Sequence, residues 1–562
     1  MKKWVIENKF QENKLIEILL ENRGIKTKKE IEEFLNPKLE DVTSKSVGID
    51  QKELKKAIVR IRKAIKEQEQ IIVFGDYDVD GICGTAVLWE ALNSLSAKVL
   101  PYIPHRVEEG YGLSKIGISN IKSQISNVKL IITVDNGIVA NEAVDFAKTK
   151  GIDVIITDHH LPSKKLPKAL AIVHTTKVCG AGVAYLLSQE ISNPKSQISN
   201  KSQIQNTKFK ILNTHLELVA LATVADMVPL VGANRTLVKF GLEELKKTKR
   251  PGLLELFKEA VIDQSLLGVY QIGHMIAPRL NATGRIDYAM EALRLLCTPN
   301  KQRAKELALK LGETNKERQE LTLETTQHAK MGVKDKLEIK KLLFIVHESY
   351  QPGVIGLVAG KLVDEFYRPA IVVSKGEKIS KASARSIRGF NIIEFIRGAS
   401  ELLIDAGGHP MAAGFTVETD KLLFLQKKLE DLAEELIDGE KLTRTLRVDC
   451  ELPLSIVDEK LYDEIQKLSP FGMGNPEPIF VSKNVVVEDS RLVGRDGKHL
   501  KMNLKFKISN LKFQTIGGIG FGMGEKSSEI KIGDKVNIAF TIDQNVWNGD
   551  KKLQLKIKDI KN

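Results

Sequence analysis

The chain is 562 residues long, room for roughly three to five domains at about 100 to 200 residues each, which excludes a peptide or a disulfide-held miniprotein. Hydrophobic residues make up 42% and charged residues 28%, the balance of a chain that packs real cores and not of a disordered one. Lys and Arg number 85 against 72 for Asp and Glu, a net +13 that favours a polyanionic partner, although a Lys-rich proteome would give the same excess.

The segment from 12 to 70 reads as helical, with apolar residues at helical spacing in KLIEILLE and ELKKAIVRIRKAI. At 71 the period changes. IIVF (71–74), KVLPYI (98–103), KLIITV (129–134) and DVIIT (153–157) are short β-branched runs separated by helical stretches, which predicts an α/β domain with a parallel sheet covered on both faces. Segment 192–213 is polar and partly repetitive, so it is expected to be a dispensable surface insertion. One helix is expected over 301–331, about 45 Å long at about 1.5 Å per residue, holding two lobes apart, with Gly312 its weak point.

A second α/β pattern begins at KLLFIVHE (341–348), runs through AIVVS and ends in a charged helix near 421–437. From about 445, short strands with Gly, Asn and Asp turns predict a small β-barrel. The expected divisions are a helical segment 1–65, an α/β domain 66–235, a helical linker 236–335, a second α/β domain 336–440 and the barrel 441–562.

Four cysteines, Cys83, Cys179, Cys297 and Cys450, stand far apart with no Cys-x-x-Cys pair, so no disulfide framework or structural zinc is indicated and a cytoplasmic location is expected. The opening MKKWVIENKF meets Glu7 after three apolar residues, and the most apolar stretch, 216–231, carries Glu217 and Asp226. Neither a signal peptide nor a membrane span is expected.

Three of the strands run into acidic residues: GDYDVDG with Asp76, Asp78 and Asp80, then Val134-Asp135-Asn136, then Thr157-Asp158-His159-His160. In a parallel sheet these ends share the carboxyl edge, where open α/β sheets bind ligands. A lone Asp after a strand is usually a cap or turn residue. Several together are different, because two unit charges about 4 Å apart repel by about 1 kcal/mol in water and about 4 kcal/mol at an effective dielectric of about 20. A divalent cation is the economical remedy, and two ions sharing a carboxylate would serve phosphodiester hydrolysis. Asp226, at the end of an apolar helix, is a candidate further ligand. No Gly-x-Gly-x-x-Gly follows the first strand, which excludes a dinucleotide-binding reading.

In the second α/β pattern SARS (383–386) surrounds Arg385 with Ser383 and Ser386, and AGGHPMAAGF (406–415) reads as a small-residue loop through Gly408 and His409. Small residues admit backbone N–H groups to a phosphate, and Arg grips it with two hydrogen bonds. In the tail, strand-borne lysines near Phe506 and Trp547 are expected to offer a cationic groove with stacking surfaces for a nucleic-acid strand.

With GDYDVDG, VDN, TDHH, ADMVPL and GGHPMAAGF in this order, together with PHRVEEGYG, PRLNATGR, PGVIGLVAG and FGMGNPEPIF, the chain closely resembles the RecJ exonucleases of the DHH phosphoesterase superfamily, nearly end to end. The resemblance implies a DHH catalytic domain, a DHH-associated domain and an OB-type barrel. It also implies 5′ to 3′ hydrolysis of single-stranded DNA to mononucleotides with two Mn2+ or Mg2+ ions, in DNA repair and recombination. It names Asp78, Asp80, Asp135, His159 and Asp226 as metal ligands and places His160 at the scissile phosphate, with Asp76 and Asp158 in the catalytic set. Arg106, Ser383 and Arg385 match positions that hold the 5′ phosphate, and Arg279 a DNA contact. A helicase and a single-strand-binding protein are the partners it suggests for a monomeric enzyme.

Three positions depart from the family pattern. Phe74 stands where many superfamily members have a ligand His, which gives Asp76 or water a larger part; Tyr350-Gln351 replaces Trp followed by His or Asn; His174-Thr175 replaces Asn-Pro. The rival readings are a phosphodiesterase for oligonucleotides or cyclic dinucleotides and an inactive scaffold. The OB-like tail argues against the first and the intact Asp and His set against the second.

Overall fold

A computed structural model describes residues 2–11, 14–106, 108–192, 214–334, 339–509, 512–547 and 550–562. The insertion expected at 192–213 lies, apart from its first residue, outside them. Two compact units are present: one comprises Met1–Lys3 and Pro278–Thr445, the other Trp4–Ala277 and Leu446–Asn562.

The larger unit begins with a strand, β1 (Lys3–Asn8), and not directly with helices. Its α/β sheet is built from β2 (Gln70–Phe74), β3 (Val99–Tyr102), β4 (Val128–Val134), β5 (Asp153–Asp158) and β6 (Ala171–His174). All are parallel, in the order β3-β2-β4-β5-β6. The β-branched runs are buried on both faces, Ile71 to Phe74 and Leu130 to Ile132 being fully inaccessible, which explains why they do not alternate with polar residues. The order in which the chain adds strands reverses between β2 and β4. The connections leaving these two strands therefore diverge, and their carboxyl ends flank a crevice.

The smaller unit holds β7 (Leu343–His347), β8 (Ala370–Ser374), β9 (Ile379–Arg385), β10 (Leu403–His409) and β11 (Ala412–Glu418), in the order β10-β11-β9-β8-β7. The expected small-residue loop is instead a hairpin: β10 and β11 pair antiparallel from Leu403↔Val417 to His409↔Ala412 around a two-residue turn. Alternate burial of Ala413, Phe415 and Val417 drives that pairing. The long helix runs unbroken from Lys301 to Lys334. Ala304, Leu307, Ala308 and Leu311 bury one face of it at helical spacing, and Gly312 is accommodated within it.

The tail, in the larger unit, forms β12 (Thr445–Glu451), β13 (Phe480–Val493), β14 (His499–Ser509), β15 (Lys512–Gly520), β16 (Lys535–Trp547) and β17 (Asp550–Lys561). Pairing of β13 with both β14 and β16 closes a five-stranded barrel, and β1 and β12 extend the same sheet. Leu15, Leu19, Leu20 and Phe34, from the N-terminal helices, share one hydrophobic core with Cys450, Phe480, Leu504 and Phe540 of the tail. Phe506 is partly buried: it packs against that core and also lines a surface cavity with Lys9, Lys483 and Lys507. The side chain of Trp547 lies outside the described residues.

Candidate metal centre

The carboxyl ends of β2, β4 and β5 carry Asp76, Asp135 and Asp158, all buried to within 2% exposure. Asp78 caps the helix Val79–Ser94 by accepting from the N–H groups of Asp80 (3.0 Å) and Gly81 (3.1 Å) through Oδ1, which leaves Oδ2 unused by the cap. Asp80, in the first turn, receives the N–H groups of Gly180 (2.6 Å) and Ala181 (2.7 Å), the start of the helix Gly180–Ser192. A Cβ on Gly180 would lie 2.5 Å from that of Asp135, so only glycine lets this helix end reach the carboxylates.

His159 joins three of them. Its Nε2 lies 3.1 Å from Asp135 Oδ1, 3.6 Å from Asp80 Oδ2 and 3.7 Å from Asp226 Oδ2. Asp226 arrives as the C-cap of the helix Leu216–Ala225. Three sets of ligand atoms gather within 4.8 Å: Asp80, His159 and Asp226; Asp76, Asp78 and Asp135; and Asp135, His159 and His160. Asp135 and His159 each belong to two sets, so this constellation suits two neighbouring ions with a shared carboxylate.

Electrostatics says the same. Burial and then mutual repulsion, Asp78 against Asp76 and Asp80 against Asp135, push both carboxyls well above their ordinary range. Burial with Asp80 and Asp78 lifts Asp226 to about 9. Burial lowers His159, favouring the neutral imidazole a metal requires. Asp76 Oδ1, Asp135 Oδ1 and His159 Nε2 are buried with no hydrogen-bond partner among the described residues. Buried polar atoms are ordinarily satisfied, so a cation fits this donor set, and mixed carboxylate and imidazole donors suit manganese.

Asp158 belongs to none of the three sets. Its Oδ1 accepts from His160 Nδ1 (2.8 Å) and the His159 N–H (2.7 Å), and its Oδ2 from the Ile138 N–H (2.9 Å). Burial opposes ionisation of Asp158, but its bonds to His160 prevail and hold it below the usual carboxylate range. The same pairing outweighs burial at His160 and raises it. His160 Nε2 then lies 3.4 Å from the Tyr111 hydroxyl.

Phe74, where a ligand His was considered, is a core residue stacked on Tyr102 at 5.3 Å. Of the other departures, His174 donates Nε2–H to the His160 carbonyl (2.7 Å), and the Tyr350 hydroxyl hydrogen-bonds His328 (2.8 Å). Sequence reasoning missed Asn136, whose amide donates to the Phe74 and Val134 carbonyls and accepts from the Leu113 N–H, tying together the two strands that flank the crevice. It also missed Tyr111, for which the GYG of PHRVEEGYG was the available signal.

Arg106 lies 5.1 Å over the Tyr77 ring, which meets Tyr111 edge-on. In the smaller unit, Arg385 ends β9 and donates Nη1–H to Ser383 Oγ (3.3 Å) and the Ala384 carbonyl (2.8 Å). Burial lowers its pKa, and no carboxylate pairs with it among the described residues. A Cβ on Gly356, in the first turn of the helix Ile355–Phe366, would stand 2.8 Å from Ser383 Oγ, so a helix N-terminus faces this pair. Gly408 and His409 are exposed at the end of β10, and Arg279 lies in the helix Ala277–Ile286.

Family models match at residues 70–223 (DHH family, N-terminal domain), 338–436 (DHHA1 domain) and 448–559 (RecJ OB domain). The chain is 37% identical over 556 residues to the single-stranded-DNA-specific exonuclease RecJ of Bacillus subtilis, covering 97% of this chain and 67% of that one. It is 30% identical over 569 residues to that of Escherichia coli, covering 97% and 95%. The crystal structure of RecJ in complex with Mn2+ from Thermus thermophilus superposes with a TM-score of 0.81 at 27% identity, over 100% of this chain and 79% of that one. An exonuclease RecJ bound to manganese matches at 32% identity and a TM-score of 0.57, over 68% and 95%.

Proposed function

This chain belongs to the RecJ family of single-stranded-DNA-specific exonucleases, and we propose that it removes mononucleotides from the 5′ end of single-stranded DNA by two-metal phosphodiester hydrolysis. The observation that carries this reading is the crowding of Asp76, Asp78, Asp80, Asp135 and Asp226 around His159, with ligand atoms left unpartnered. When bound, Mn2+ or Mg2+ would supply a hydroxide from water, polarise the phosphoryl oxygens and steady the leaving oxygen.

The chain's own residues do the rest. Asp158 takes the His160 Nδ1–H, which leaves Nε2, beside the Tyr111 hydroxyl, as the ring atom that would give a proton to the leaving 3′-oxygen. Asp158 is therefore a positioning residue and His160 the acid. Arg385 and Ser383 receive a terminal phosphate, for which an unpaired guanidinium beside a helix N-terminus is suited. Arg106 and Arg279 are assigned as further phosphate contacts, and Gly408 and His409 as substrate-binding residues.

Domains at 66–235, 336–440 and 441–562 divide catalysis, end binding and strand binding, joined by the linker 236–335 and preceded by 1–65. The enzyme acts as a cytoplasmic monomer, supplied with substrate by a helicase and a single-strand-binding protein. Its four cysteines, with no disulfide among the described residues, suit that compartment, and no helix among the described residues is long and apolar enough to cross a membrane. The test is degradation of 5′- and 3′-labelled single-stranded DNA and RNA with Mn2+ or with chelator. Labelled mononucleotide should be the first product only from 5′-labelled DNA with metal; release from the 3′ end, or in chelator, would refute the reading.

A further inference from the structure

Two antiparallel helices each bring a ligand to His159: Val79–Ser94 carries Asp80 near its start, and Leu216–Ala225 ends at Asp226. Their opposite ends meet in a second charged cluster. Glu90, ten residues and therefore about 15 Å along the first helix from Asp80, accepts from Arg250 Nη1 (2.5 Å) and Nη2 (3.0 Å) and from His215 Nε2 (2.8 Å). His215 and Glu217 begin the second helix, and Arg250 also donates to Glu217 from Nε (3.3 Å) and Nη2 (3.2 Å). All four side chains are at most 22% exposed.

The seam between the helices offers little to fix their axial register. Leu218 to Ala222 and Val224 are buried and apolar packing is non-directional, while the Thr223 hydroxyl bonds the Val219 carbonyl of its own helix and Cys179, and not the first helix. A two-pronged Arg–carboxylate pair is directional, so whatever it adds to stability, this one can also fix geometry. We propose that Glu90, Arg250, Glu217 and His215 are positioning residues for the metal centre, pinning the two helices so that Asp80 and Asp226 converge on His159. This rests on reading the cluster as a metal site.

Calorimetric titration of the intact chain with Mn2+ tests it, together with metal-free melting of each variant. Glu90→Gln should weaken Mn2+ binding by about fivefold, short of the roughly 10- to 100-fold seen for groups that hydrogen-bond the ligands directly. It should have no further effect in an Asp226→Asn background, where register no longer matters. Arg250→Lys, which keeps the charge and loses the fork, gives the same reading should Glu90→Gln not fold. A merely structural role would lower the metal-free melting temperature and leave Mn2+ affinity unchanged; that result, or an equal loss in both backgrounds, overturns the proposal. A wild-type chain that binds no Mn2+ instead overturns the metal reading beneath it.

Discussion

Asp135 adopts φ +63°, a left-handed conformation that Asp and Asn tolerate better than most residues, and it does so while buried among four other carboxylates. Asn is therefore the cleaner substitution, because Ala would add backbone strain to the loss of charge. Asp135→Asn should lower turnover by about a thousandfold or more, about 4 kcal/mol of barrier, while raising the metal-free melting temperature through relief of repulsion. Steady-state kinetics at saturating Mn2+ and scanning calorimetry check the two halves. The five carboxylates and His159 were legible because each follows a recognisable strand or ends a recognisable helix. Asn136 and Tyr111 were not, since their roles exist only through neighbours brought from other strands.

Secondary-structure elements carry the next level of specificity. The N-terminus of Ile355–Phe366 and the end of β9 bracket Arg385 and Ser383, so Arg385→Ala should abolish most of the preference for 5′-phosphorylated over 5′-hydroxyl ends. Competition between the two substrates measures it, and an unchanged preference would move the end pocket elsewhere. Burial opposes ionisation of Glu90, but its bonds from His215 and Arg250 dominate and depress it from 4.5 to about 2. A depressed carboxyl stabilises the fold fully above its unfolded value and loses that contribution as pH falls through the folded one. The metal-free wild type should therefore lose unfolding free energy more steeply between pH 4.5 and about 2 than Glu90→Gln does, as urea titrations at each pH would show. At this scale the parallel strands and the long helix were readable from period alone. The glycine-rich hairpin was not, because three consecutive small residues, Ala406 to Gly408, hide the alternation that β11 makes plain.

Across the whole molecule, the two ends of the chain fold together. β1 adds to the sheet of the tail, and Leu19, Leu20 and Phe34 lose their core if the tail is removed, so deletion is a poor probe of the barrel. Pairing between such distant segments leaves no local pattern, which is why the first residues read only as helix. Point substitution is cleaner. Lys501, Lys505 and Lys507 alternate along one face of β14, and Phe513, 52% exposed on β15, lies across from Lys507 with the Lys505 ammonium 5.2 Å from its ring centroid. Replacing Lys505 and Phe513 with Ala should weaken binding of long oligonucleotides and flatten the slope of log affinity on log salt by about 0.7 for each phosphate the variant no longer neutralises. Cleavage of very short oligonucleotides should persist, and an unchanged slope on long ones would assign this face another role.

The most direct measurement is anomalous diffraction at the manganese edge from crystals of the wild-type protein grown with Mn2+. Two peaks about 3.5 to 4 Å apart are predicted, one among Asp80, His159 and Asp226 and the other among Asp76, Asp78 and Asp135, with Asp135 reaching both. Manganese bound only elsewhere, in protein that degrades single-stranded DNA, would contradict the account.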